Sequence, residues 1–170
     1  MPDNKLISET YRSLNADLHK RAVFGQRGDR HALIVLDLLT EFGGPVLDYG
    51  CGRATLAGAL PDVDVRNYDP AIPAYSAEPK PCPIVICTDV LEHIEPDCLD
   101  SVLKHLDRLT LKVAHLVVAT KPDGNKKLAD GRDPHLIVKP AEWWLAKINE
   151  FMPARLINVT ARDCTFRVTR

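Results

Sequence analysis

The run Val46-Leu47-Asp48-Tyr49-Gly50-Cys51-Gly52-Arg53-Ala54 constrains this chain more than any other stretch. Apolar residues lead into an acid, then Gly-x-Gly, then the helix-forming segment from Thr55 to Leu60. The pattern predicts a buried strand, a tight turn and a helix, the opening unit of a doubly wound α/β sheet. Glycines at such a turn adopt backbone angles that a side chain forbids and let a ligand approach the main chain. Dinucleotide folds use the same turn to cradle a pyrophosphate. Asp48 at the turn would repel a phosphate, so a ligand with a cationic amino group fits better.

Two later features share this frame. Val63-Asp64-Val65-Arg66-Asn67-Tyr68 alternates like a strand and ends at Asp69, 21 residues beyond Asp48. That spacing equals about one strand-helix-strand repeat. It puts a carboxylate at the end of a neighbouring strand, where it can accept hydrogen bonds from two ribose hydroxyls. An Asp before Pro70 is also ordinary turn chemistry. The run Ile84-Val85-Ile86-Cys87 is apolar and β-branched, as in a buried parallel strand, and gives way to Thr88-Asp89-Val90-Leu91-Glu92-His93-Ile94. Polar residues at the carboxyl edge of such a sheet lie where ligands bind.

With these residues in place, the chain resembles the class I S-adenosylmethionine (SAM)-dependent methyltransferases from about residue 30 to its end. Asp48, Gly50 and Gly52 match the family's D/E-x-G-x-G motif, and a frequent third glycine is Ala54 here. The string D-V-L-E-H-I is very like the fourth-strand motif of small-molecule members. The resemblance implies a cofactor site of Asp48, Tyr49, Gly50, Gly52, Asp69, Pro70, Thr88 and Asp89. The first motif would hold the methionine end of SAM and Asp69 the ribose.

The remaining elements follow from periodicity. Leu6, Tyr11, Leu14 and Leu18 are spaced for a helix over 6–20, and residues 24–29 read as a loop. Asp29 is placed to cap a helix that runs to Phe42, with Leu33, Ile34, Leu36, Leu38 and Leu39 on a broad buried face. Then come strand 45–49, helix 53–60, strand 63–68, loop 70–83, strand 84–88, helix 97–109, strand 114–120, a polar loop 121–138, a helix from Pro140 through Phe151, and strands 155–160 and 164–168 as a hairpin. Alternating strands and helices give a mostly parallel sheet covered on both faces, with an antiparallel C-terminal hairpin. Members of the resembled family have seven strands. Here only the 14 residues 70–83 separate Asp69 from Ile84, and they are rich in proline. That is too short for a crossover helix, a strand and its return. A Rossmann-like sheet of six strands without one edge strand is expected, within one domain over 1–170 whose residues 1–28 form a helical lid segment. Adenine then needs other partners, from Pro70-Ala71-Ile72-Pro73 or from Cys87, Thr88 and Asp89.

Composition narrows the function. With 22 Lys and Arg against 23 Asp and Glu the net charge is −1, which leaves no electrostatic footprint for a nucleic acid. No apolar run reaches membrane-spanning length, and no signal peptide is expected. Five scattered cysteines without a C-x-x-C pair point to reduced thiols and a cytoplasmic protein. No N/D-P-P-Y/F/W motif follows the 84–88 strand, which argues against amino methylation of bases in nucleic acid.

Methyl transfer from a sulfonium needs positioning and desolvation, and a general base only where the acceptor loses a proton. Glu92 and His93, just past a strand end, and His135, in the long loop, are the candidates for such a base; packing and helix-start roles are the alternatives. Asp89, Glu92, His93 and His135 together resemble the divalent-metal site of small-RNA 2′-O-methyltransferases, and the first half also resembles some quinone-pathway O-methyltransferases. Such a metal would polarise vicinal hydroxyls. Tyr11, Arg12 and His19 are placed to cover bound cofactor, and one of Trp143 and Trp144 to pack in the core. The expected activity is SAM-dependent methylation of a small molecule, oxygen slightly preferred over nitrogen. A metal-assisted enzyme acting on RNA ends and a non-catalytic SAM-binding subunit of a larger complex are the alternatives. The subunit alternative predicts an exposed apolar patch at the shortened sheet edge.

Overall fold

A computed structural model describes residues 5–20 and 27–170. Part of the expected 24–29 loop lies outside the described residues. A six-stranded sheet runs in the order β2-β1-β3-β4-β6-β5. It is built from β1 (Val46–Tyr49), β2 (Val65–Tyr68), β3 (Cys82–Thr88), β4 (Thr110–Ala119), β5 (Ala154–Val159) and β6 (Asp163–Thr169). The first four strands are parallel, and β6 runs antiparallel to both β4 and β5. The expected trimmed sheet is present: β2 is an edge strand, and the chain passes from it to β3 without a further strand.

The helices are α1 (Glu9–His19), α2 (Ala32–Phe42), α3 (Thr55–Ala59), α4 (Leu99–Leu109) and α5 (Ala141–Asn149). Side-chain alternation on the strands sorts them into two cores. Val46, Ile84, Ile86 and Val113 face α2 and α3, through Val35, Leu38 and Leu56. Leu47, Val85, Cys87, Ala114 and Leu116 face α4 and α5. Burial of the stripe Leu99, Val102, Leu103 and Leu106 explains why α4 packs so completely. A third cluster joins Tyr11 and Leu18 of α1 to Leu128 of the long loop.

Several expectations need correction. Asp29 lies in a short 3-10 turn, Gly28–His31, that precedes α2, and it does not cap the helix. The broad buried face of α2 is narrow: Val35 and Leu38 are buried, whereas Leu33 is 76 % exposed and Leu36 42 %. The reason is layer coverage: among the described residues, α2, the single-turn α3 and the 3-10 turn before α2 cover this side of the sheet. Strand β4 begins at Thr110, four residues before the expected start, directly where α4 ends. The Thr110 hydroxyl donates to Leu106 O at 2.8 Å, which satisfies a carbonyl left open by the helix end. The β2 edge exposes no apolar patch; exposed Leu156, Ile157 and Val159 lie on β5 instead. Trp144 is fully buried, and Trp143 packs edge-on against it with its ring 5.7 Å from Lys139 Nζ.

Candidate functional site

The motif turn is held by β2. Gly50 and Cys51 N–H both donate to Tyr68 O, at 2.7 and 3.1 Å. Gly50 has φ +76°, and a Cβ there would overlap the Val90 side chain. Gly52 and Ala54 also have positive φ, and Ala54 adopts the left-handed conformation that glycine takes without cost. The third-glycine position of the motif therefore holds a strained alanine.

Two carboxyls meet behind this turn. Asp48 is 4 % exposed, and burial, then the neighbouring Asp69, pushes its pKa up to about 7. Asp69 accepts from Gly52 N–H at 3.2 Å and from Ala71 N–H at 2.9 Å, and its Oδ2 lies 3.8 Å from His19 Nε2. A ligand cation seated there would relieve the burden that burial places on Asp48.

At the end of β3, Thr88 is followed by Asp89 at φ 54°, whose N–H donates to Val117 O of β4. A left-handed non-glycine residue at a cavity is strain of the kind that collects at functional positions. The next turn buries Glu92 completely. Its Oε1 accepts from Ala119 N–H at 3.1 Å, and its Oε2 has no partner. Burial and Asp89 push the Glu92 carboxyl up to about 8.

The loop 121–138 closes over this end of the sheet. Asp133 accepts from the N–H groups of Asp123, Gly124 and His135, and Asp123 caps Asn125 and Lys126, so acid side chains organise the loop. Ile137 N–H donates to Glu92 O. His93 Nδ1 lies 2.8 Å from Pro134 O, and His135 Nδ1 2.6 Å from Lys121 O. Facing a carbonyl, each Nδ1 carries the proton, which leaves Nε2 as the basic atom. The rings meet edge-on at 4.8 Å. Burial, then His135, pulls His93 down to about 4. Glu92, His93 and His135 bring one ligand atom each within 4.8 Å of one another.

Helix α1 joins these parts. Ser8 N–H and hydroxyl both donate to the Glu95 carboxylate at 2.7 Å, Arg12 donates to Pro70 O at 2.9 Å, and Arg53 donates to His19 O.

Among the expected site residues, Asp48, Tyr49, Gly50, Asp69, Pro70, Thr88, Asp89, His93 and His135 line one cavity of about 530 Å³, a size typical of small-molecule sites. Gly52 touches it only through its bond to Asp69, and Glu92 sits behind the wall. Asp89 is not in the Glu92–His93–His135 cluster. Of the expected adenine partners, Pro70, Ala71, Thr88 and Asp89 are at the cavity, while Ile72, Pro73 and Cys87 are not; Val90 and Val102 line it as well. Arg30, Lys121 and Arg162 also line the cavity, and no motif singles them out. Their signal is topological: Lys121 follows the carboxyl end of β4, and Arg162 lies in the adjoining β5–β6 turn, where its carbonyl accepts from Thr120 N–H.

No family model and no curated protein sequence matches the chain. Solved structures do. The 1,6-didemethyltoxoflavin-N1-methyltransferase of Burkholderia thailandensis, with S-adenosylhomocysteine (SAH) bound, superimposes with a TM-score of 0.65 at 13 % identity, covering 99 % of this chain and 92 % of that one. The fold is that of the class I SAM-dependent methyltransferases. Magnesium protoporphyrin IX methyltransferase (ChlM) from Synechocystis PCC 6803, also with SAH, gives 0.60 at 17 % identity over 86 % and 82 % of the chains. The methyltransferase domain of bacterial CtHen1 gives 0.59 at 13 % identity over 82 % and 97 %. The likenesses span 82–99 % of this chain. Among its described residues, no helix is long and apolar enough to cross a membrane, and all five cysteines are free and buried.

Proposed function

We propose that this protein is a SAM-dependent methyltransferase whose acceptor is a small molecule, with oxygen preferred over nitrogen. The observation that carries the reading is the meeting of Asp48 and Asp69, two buried carboxyls, at one cavity beside a glycine turn. SAM carries an ammonium group and a ribose diol, the groups that such a pair fits. When bound, it supplies an electrophilic methyl group. Asp48 would hold the ammonium, and Asp69 the ribose hydroxyls. His93, neutral at physiological pH and bonded through Nδ1 to Pro134, presents Nε2 as the proton acceptor for an acceptor hydroxyl. The preference for oxygen rests on that group. Calorimetric titration of SAM and SAH into wild type and Asp69→Ala tests the cofactor reading. Binding that Asp69→Ala weakens supports it, and no binding to wild type defeats it.

One observation favours a second reading, metal-assisted methylation at RNA ends. Glu92, whose Oε2 has no partner, His93 and His135 form a donor set suited to a divalent cation, with carbonyls orienting both rings. Such an ion would polarise the hydroxyls of the acceptor, and Glu92 would lose its proton on binding it. Titration of Mg²⁺, Mn²⁺ and Zn²⁺, with Glu92→Ala and His93→Ala as controls, decides between the readings. Binding that both substitutions remove, with methylation of an RNA 3′ end, favours the second. Absence of binding leaves the metal-free enzyme.

A further inference from the structure

The wall of the cavity next to β2 raises a mechanical problem. Pro70 and Ala71 form part of it, yet they open the chain segment 70–81, which no ladder of a neighbouring strand supports. Near Asp69 the segment bonds to itself, through Ile72 N–H to Asp69 O and Asp69 N–H to Tyr75 O, and to α1, through Arg12, which donates to Pro70 O. Its far end is fixed otherwise. The Glu78 carboxylate accepts from His105 Nε2 at 3.0 Å and pairs with Arg108, both on α4. His105 Nδ1 in turn lies 2.9 Å from the Tyr49 hydroxyl. With Nε2–H given to Glu78, Nδ1 is the acceptor and Tyr49 O–H the donor, so one tautomer satisfies every partner. Tyr49 and His105 are 3 % and 5 % exposed, which makes an unmade bond here costly. Tyr49, Tyr68 and His105 also pack ring against ring at 5.0–5.6 Å.

This chain of bonds reaches the cavity at its Tyr49 end and, through the helix that carries His105, at α4. Tyr49 lines it and precedes Gly50 of the motif turn, and α4 lines it through Val102, three residues before His105. We propose that Glu78, His105 and Tyr49 form a positioning relay that ties segment 70–81 to α4 and to the motif turn, and so sets the slot for the purine base of an adenosyl ligand between Pro70-Ala71 and Val90-Val102. The relay does for this shortened sheet what a flanking strand does elsewhere: it fixes the loop against a rigid element. The inference rests on the SAM reading above, because the slot belongs to adenine only if the ribose is at Asp69.

The test uses SAH and its hypoxanthine counterpart, S-inosylhomocysteine, in calorimetric titrations of wild type, Glu78→Ala and Glu78→Gln. Melting temperatures and the ¹⁵N signals of His105 are recorded alongside. Wild type is expected to prefer SAH and to show His105 as the Nε2–H tautomer. Glu78→Ala should weaken SAH about tenfold and reduce the preference over S-inosylhomocysteine, with the tautomer lost. Glu78→Gln, whose amide oxygen still accepts from Nε2–H, should restore most of both. The inference is overturned if Glu78→Ala leaves affinity and preference within twofold of wild type. It is also overturned if both ligands weaken equally in step with the melting temperature, the signature of a purely structural bond. Wild type that binds neither ligand defeats the SAM reading itself, a result distinct from either.

Discussion

The two halves of the cavity are built by different means. On the β1–β2 side, main chain sets the frame: Gly50 and Cys51 N–H donate to Tyr68 O, and Gly52 and Ala71 N–H fix the Asp69 carboxylate, all within about 25 residues of sequence. On the β3–β4 side, side chains do it. Glu92 and His93 meet His135 only because an acid-stapled loop folds back across the sheet edge. A backbone site tolerates little change in the chain but is indifferent to many side chains. A side-chain site can change its chemistry one residue at a time without disturbing the fold. In this molecule the half assigned to the shared cofactor is of the first kind, and the half assigned to the acceptor is of the second.

Substitutions can break or sharpen that contrast. The largest effect is expected at Gly50. Gly50→Ala sets a Cβ against Val90 at φ +76°, and should lower SAH affinity by about a hundredfold or more and destabilise the fold by about 2–4 kcal/mol, read by calorimetry and urea melts. On the other side, His93→Ala should lower turnover about a hundredfold while SAH affinity stays within twofold of wild type. A matching loss of SAH affinity would mean that the halves are not separable.

Asp48→Asn should weaken SAH by about tenfold and flatten its pH dependence. The folded carboxyl keeps its proton up to about pH 7, whereas the unfolded chain releases it near pH 4. Its contribution to the ligand-free protein is therefore fully present below about pH 4 and is lost as pH rises through 7. Ligand binding runs the opposite way, because the ammonium needs the carboxylate: SAH affinity should rise between pH 6 and 8. At pH 8 the Asn variant should be the more stable apo protein by roughly 4 kcal/mol, as seen in thermal melts. The smallest effect is expected from Ala54→Gly, which removes a left-handed alanine and should stabilise the protein by about 0.5–1 kcal/mol without moving SAH affinity.

The same contrast explains what could be read from the sequence. Asp48, Gly50 and Asp69 announce a strand-turn-helix-strand unit, because glycine conformation and strand spacing are local properties. The missing strand follows from the short link between Asp69 and Ile84. Arg30, Lys121 and Arg162 carry no local signature, since only the closing of three separate loops brings them to one cavity. The same holds for the bonds from His105 to Glu78 and to Tyr49, across 27 and 56 residues. The exposed face of α2 was illegible for a related reason. Spacing marks Leu33 and Leu36 as apolar, but burial depends on how many elements share that side of the sheet. Asp29 shows the opposite failure, a good capping residue overruled by a 3-10 turn.

Helix α1 touches both halves. Its eleven residues share the cavity wall through Tyr11, Asn15 and His19, and it is moored near Glu95, Pro70 and Arg53, three separate loops. In kinetic terms these moorings are in parallel for strength and in series for escape. If α1 covers a ligand held between Asp48 and Asp69, exit along that side would need these bonds to open together. Its residence time would then follow the local unfolding free energy of one short helix, and the slowest event in a catalytic cycle on this scaffold would be a helix letting go.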